Sequence, residues 1–78
     1  MKKMILYSKP DCHLCDEMKN VIANIKRESE FDFEEINIEF NETLLDKYKE
    51  KIPVLMLNGR MIAKYRISKE KLFQILKS

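Results

Sequence analysis

The chain changes character at one junction between residues 3 and 27, and that junction holds both of its cysteines. Met4-Ile5-Leu6-Tyr7 is a short apolar run, and residues 3–8 read as a buried strand. Pro10-Asp11 reads as a turn. Apolar side chains then recur at Leu14, Met18, Val21, Ile22 and Ile25, one face of a helix over residues 13–27 with Asp11 as its expected N-cap. Cys12 and Cys15 therefore sit where a strand hands over to a helix. A helix begins with unpaired N–H groups and the positive end of its dipole, and both stabilise a thiolate placed there. Two cysteines so close in sequence close too small a loop to staple a fold, so they are there to react or to bind.

The rest of the chain alternates in the same way. Residues 31–38 are β-like, although their alternation changes phase near Glu34-Glu35. Asn41 can cap a short helix with Leu44, Leu45 and Tyr48 on its apolar face. Val54–Leu57 reads as a strand, Asn58-Gly59 as a two-residue type I′ turn, and residues 61–65 as the antiparallel partner. Ser68 can cap a final helix carrying Leu72, Phe73, Ile75 and Leu76. The expected order is β-α-β-α-β-β-α, an α/β chain with a four-stranded mixed sheet and helices on both faces. Its first half is a right-handed βαβ unit with two parallel strands. Met18, Met56 and Met61 are expected as core filler, and the charged run over residues 46–51 as a solvated helix end.

Bulk properties narrow the function. Seventy-eight residues make one domain, 1–78, and an apolar fraction of 45% supplies one modest core. A net charge of +2 is too small to point to nucleic acid or a membrane surface. The four apolar residues after Met1-Lys2-Lys3 fall short of a secretion signal, and no run has the length of a membrane-spanning helix. The expectation is a cytoplasmic monomer.

The segment Tyr7-Ser8-Lys9-Pro10-Asp11-Cys12-His13-Leu14-Cys15-Asp16-Glu17 resembles the active site of glutaredoxin-like proteins, above all the small glutaredoxin-like family with a Cys-His-Leu-Cys-Asp motif. Ile52-Pro53-Val54, followed by Asn58-Gly59, matches a second motif of the same group, and the likeness covers essentially the whole chain. It implies a minimal thioredoxin fold and a thiol–disulfide oxidoreductase. Cys12 is then the nucleophile and Cys15 the resolving thiol, with Lys9, His13, Leu14, Ile52 and Pro53 bordering the substrate. Lys9 matches the glutaredoxin lysine three residues before the nucleophile. Pro53 is implied to follow a cis peptide bond, which leaves the backbone of Ile52 free to pair with an extended substrate. The implied partners are a protein or small-molecule disulfide as substrate, and glutathione or a thioredoxin-reductase-like enzyme as electron donor. Glutaredoxins that use glutathione carry a Gly-Gly pair where this chain reads Tyr65-Arg66-Ile67-Ser68. The glutathione site is therefore expected to be incomplete, and no resident cofactor is expected.

Charges around Cys12 oppose one another. Lys9 and a protonated His13 favour the thiolate, while Asp11, Asp16 and Glu17 disfavour it. The N–H groups of Leu14 and Cys15 are the expected donors to its sulfur. The competing function is metal binding through the same cysteines. Copper chaperones also place Cys-x-x-Cys after a first strand, but in the order β-α-β-β-α-β, and the helical pattern over residues 41–48 argues against it. Zinc would need His13 beside the two thiols, yet neighbouring residues of a helix diverge by about 100°. An iron–sulfur cluster shared with glutathione is disfavoured by the incomplete glutathione site. A binding module that kept the fold and lost turnover is a third reading, and the intact cysteine pair weighs against it.

Overall fold

The computed structural model describes residues 2–77. The first strand, β1 (Lys3–Ser8), pairs on both sides. It runs parallel to β2 (Asp32–Asn37), from Lys3↔Asp32 to Ser8↔Asn37, and antiparallel to β3 (Val54–Leu57), from Met4↔Leu57 to Tyr7↔Val54. The last strand, β4 (Arg60–Lys64), pairs antiparallel with β3 and gives the sheet order β2-β1-β3-β4. Helix α1 (His13–Lys26) joins β1 to β2, α2 (Glu42–Tyr48) joins β2 to β3, and α3 (Lys69–Lys77) ends the chain. The expected order of elements is the observed one.

Strand alternation divides the core into two layers. Met4, Leu6, Leu55 and Leu57 point to one face, where Met18, Ile22 and Ile25 of α1 and Leu72 and Leu76 of α3 cover them. Tyr7, Val54 and Met56 point to the other face and meet Leu44, Leu45 and Tyr48 of α2. The Tyr7 and Tyr48 rings stack there with centroids 4.9 Å apart. The thioredoxin-type arrangement follows, with helices on both sides of a mixed sheet.

Helix starts behave as side-chain chemistry dictates. Leu44 N–H donates to Asn41 Oδ1 and Lys71 N–H donates to Ser68 Oγ, both at 3.1 Å, so two of the expected caps are in place. The α1 cap differs. Asp11 takes a left-handed backbone (φ +57°), and Cys12 is the N-cap instead. Met61 also departs from expectation: it is half exposed rather than core. β2 ends at Asn37, where Ile38 begins a 3₁₀ turn over Ile38–Phe40.

Asn58-Gly59 closes the hairpin with both residues at positive φ, as a type I′ turn requires. Asn58 also ties the turn to the central strand. Its N–H donates to Lys3 O and its Oδ1 accepts from Lys3 N–H, each at 2.9 Å. A Cβ at Gly59 would meet no atom within 4 Å, but its φ of +84° disfavours any L side chain. Gly59→Ala should therefore cost about 1–2 kcal/mol through backbone conformation alone. In a thermal melt that corresponds to a fall of about 4–8 °C per kcal/mol.

Candidate active site

The end of β1 aims the site. Ser8 is the last paired residue, Lys9-Pro10-Asp11 turn the chain, and Cys12 stands with extended backbone at the head of α1. The Cys12 sulfur does what a serine or aspartate oxygen does at most helix starts: it accepts a hydrogen bond from Cys15 N–H, at 3.1 Å. Of the two expected donors, Cys15 is the one observed. The sulfur is thus bonded to a backbone donor at the positive end of a helix, an arrangement that stabilises negative charge on it.

The two cysteines form a disulfide, with their Cα atoms 5.2 Å apart. Their surroundings differ. Cys15 is only 1% exposed and packs with Ile38, Tyr48, Ile52 and Val54, while Cys12 is half-buried at the edge of the same cluster. Cys12 is therefore the more accessible residue of the pair.

The remaining expected site residues fall in three places. Ile52 and Pro53 are buried beside the cysteine cluster, and the peptide bond between them is cis, as the resemblance implied. Leu14 is half-buried in the first turn of α1. His13 is exposed, and its Nε2 lies 3.8 Å from Glu17 Oε2. Lys9 is exposed and lines a cleft of about 320 Å³ with Ser8, Asp11, Asp16, Lys19 and Glu35. The two acids of the first helical turns are both engaged, Glu17 by His13 and Asp16 by Lys19 at 3.5 Å. Among the described residues, no group of three or more His, Cys, Asp or Glu side chains is placed to hold a metal ion.

Two features escaped sequence reasoning. The first is a polar knot at the C-terminal ends of β1 and β2. Buried Ser8 donates its hydroxyl to Glu35 Oε2 at 2.7 Å, and Lys19 Nζ reaches the same oxygen at 3.2 Å. The phase change at Glu34-Glu35 was its only sign in the sequence: Glu35 points toward α1, where an apolar residue would be expected. The second is Tyr65, just past β4, whose N–H donates to Pro53 O at 2.8 Å. It carries a positive φ of +69°, which nothing in a tyrosine announces.

The hydrogen bond to Glu35 holds the Lys19 ammonium above the ordinary lysine value of 10.5; burial opposes this, and the charges of Glu35 and Asp16 add to the rise. A raised lysine favours the folded state while both forms of the chain keep the proton, and that advantage is lost as pH rises through the folded value. The stability difference between the parent and Lys19→Gln should thus be level from neutral pH to pH 10.5 and shrink above it. Chemical denaturation across that range measures it, and a difference that stays constant into strong alkali would show that the pairing contributes nothing.

Comparison with known proteins agrees with this geometry. The family model described as "Glutaredoxin-like domain (DUF836)" matches residues 3–77. A glutaredoxin-like protein of Dictyostelium discoideum is 35% identical over 78 residues, covering 92% of this chain and 72% of that protein. A solution structure from Nitrosomonas europaea superposes with a TM-score of 0.81 at 29% identity, covering 95% of this chain and 89% of the other. An X-ray structure from X. campestris gives a TM-score of 0.77 at 29% identity, covering 95% of both chains. A thioredoxin from Halobacterium salinarum shares the fold at 14% identity, with a TM-score of 0.70 over 97% of this chain and 72% of that one. With its cysteine pair at the head of α1 and a match over nearly its whole length, the chain belongs to the glutaredoxin-like family.

Proposed function

We propose that this protein is a thiol–disulfide oxidoreductase that works through a dithiol cycle. The observation that carries the reading is the asymmetry of the disulfide: Cys12 is only partly buried at a helix N-terminus while Cys15 is sealed one turn along. In the reduced protein the Cys12 thiolate attacks one sulfur of a substrate disulfide. A mixed disulfide forms and the first substrate thiolate leaves, taking a proton from solvent. Cys15 then loses its proton and attacks the Cys12 sulfur. The second substrate thiolate is released and the Cys12–Cys15 disulfide closes, so two electrons have passed to the substrate. An external thiol donor, glutathione or a dithiol reductase, returns them by the reverse exchange.

The surrounding residues take supporting roles in this reading. The Ile52 backbone pairs with the extended chain that flanks a substrate cysteine, as an added strand. Pro53 shapes that segment. His13 and Leu14 flank the reacting sulfur, and Lys9 offers a cation to a substrate carboxylate. The reading is supported by the cis Ile52–Pro53 segment, buried with Cys15, and by membership of a family described as glutaredoxin-like. No helix among the described residues is long and apolar enough to cross a membrane. We place the protein in the cytoplasm, where reducing conditions suit a reactive thiol pair. No resident cofactor is part of the proposal.

The test is turnover of a peptide disulfide with glutathione or a reductase as donor. Cys12→Ser should lower the rate by at least about a hundredfold, because the attacking sulfur is gone. Cys15→Ser should accumulate the Cys12 mixed disulfide, seen as an added mass that a reductant removes. A Cys12→Ser protein that turned over at the parent rate would refute the proposal. Titration with Cu(I) against a competing thiol checks the metal reading in parallel, and tight stoichiometric binding would revive it.

A further inference from the structure

Tyr65 is the most strained-looking residue outside the cysteine loop, and its two hydrogen bonds lead to one segment. A bulky side chain at positive φ is uncommon, and such conformations persist where surrounding structure enforces them. Here two hydrogen bonds do so. The N–H of Tyr65 donates to Pro53 O at 2.8 Å, and its phenol donates to Glu50 O at 3.1 Å. The two acceptors lie on either side of Lys51-Ile52. Lys51 N–H is bonded back to Tyr48 O at 2.8 Å at the end of α2, and regular pairing of β3 begins only at Val54. Ile52 therefore lies in a gap between helix and ladder, and Tyr65 grips that gap at both ends. The Lys64 ammonium lies 5.7 Å from the centroid of the Tyr65 ring, which braces it further.

We infer that Tyr65 is a positioning residue that clamps residues 50–53 and so presents the Ile52 backbone to an extended substrate. The inference rests on the oxidoreductase reading and adds a residue to it. Tyr65 itself touches no reacting atom. Its contribution lies in ordering the segment before substrate arrives, so that less ordering has to occur on binding. Glycine would adopt the same backbone angle without difficulty but would leave the Glu50 end of the clamp open.

Two variants separate the parts of the clamp. Tyr65→Phe keeps the ring and removes the phenol hydrogen bond. Tyr65→Gly keeps the backbone turn and removes the whole side chain. Amide hydrogen exchange at Lys51 and Ile52 should quicken about three- to tenfold in Tyr65→Phe, the weight of one net hydrogen bond. KM for a synthetic peptide disulfide should rise by a similar factor, while kcat and the alkylation rate of Cys12 by iodoacetamide stay at parent values. Tyr65→Gly should show the same pattern at least as strongly. Exchange that is unchanged in both variants overturns the clamp, and quickened exchange with an unmoved KM overturns its role in binding. Failure of the parent itself to turn over would sink the oxidoreductase reading and this role with it, whereas normal parent turnover with unmoved variants sinks this role alone.

Discussion

Pairing of β1 on both sides is the constraint from which the site follows. The strand is held by β2 along one edge and by β3 along the other, with Met4 and Leu6 fully buried beneath α1 and α3. A strand so confined delivers its last residue, Ser8, to one place. The turn after it then has only three residues in which to start a helix, so Cys12 is carried to the helix head. The same ladder places Val54 opposite Tyr7, which draws the Ile52–Pro53 segment up beside the cysteines. Chemistry at the rim is thus set by packing in the middle.

Much of this was readable from short-range chemistry. Asn41 and Ser68 announce helix starts because their side chains bond to N–H groups three residues on, and Asn58-Gly59 announces a hairpin because few other pairs tolerate two positive φ angles. The first strand, the helical stripe after it and the Ile-Pro-Val motif were legible for similar reasons. The α1 cap was not, because a thiol is outside the usual set of capping side chains and Asp11 belongs to it. The knot of Ser8, Lys19 and Glu35 joins positions up to 27 residues apart, and the grip of Tyr65 on Glu50 spans 15. Relations of that reach depend on how elements dock, and single-chain patterns carry almost no trace of them.

The site also shows how a charged rim is arranged around a cysteine pair at a helix start. Asp16 and Glu17 follow Cys15 directly, yet each carboxylate is turned to a partner on its own helix, Lys19 for one and His13 for the other. Their negative charge still favours the helix start, while the Lys19 ammonium takes up part of the repulsion from Asp16 toward the cysteine. Neither pair adds much stability, because surface ion pairs are weak. Their value lies in direction.

Glu35 has a consequence for what the sheet does not do. β2 is an outer strand, and an outer strand with free backbone groups invites a second molecule to add itself there. On this strand Glu35 lies on the α1 side yet stays exposed, tied to Ser8 and Lys19, and Glu34 on the opposite face is paired with Lys3 at 3.4 Å. A visiting strand would have to lie against ionised groups that are already committed and still partly hydrated. The knot that anchors the cysteine helix to its neighbour therefore also lines this border of the sheet with charge.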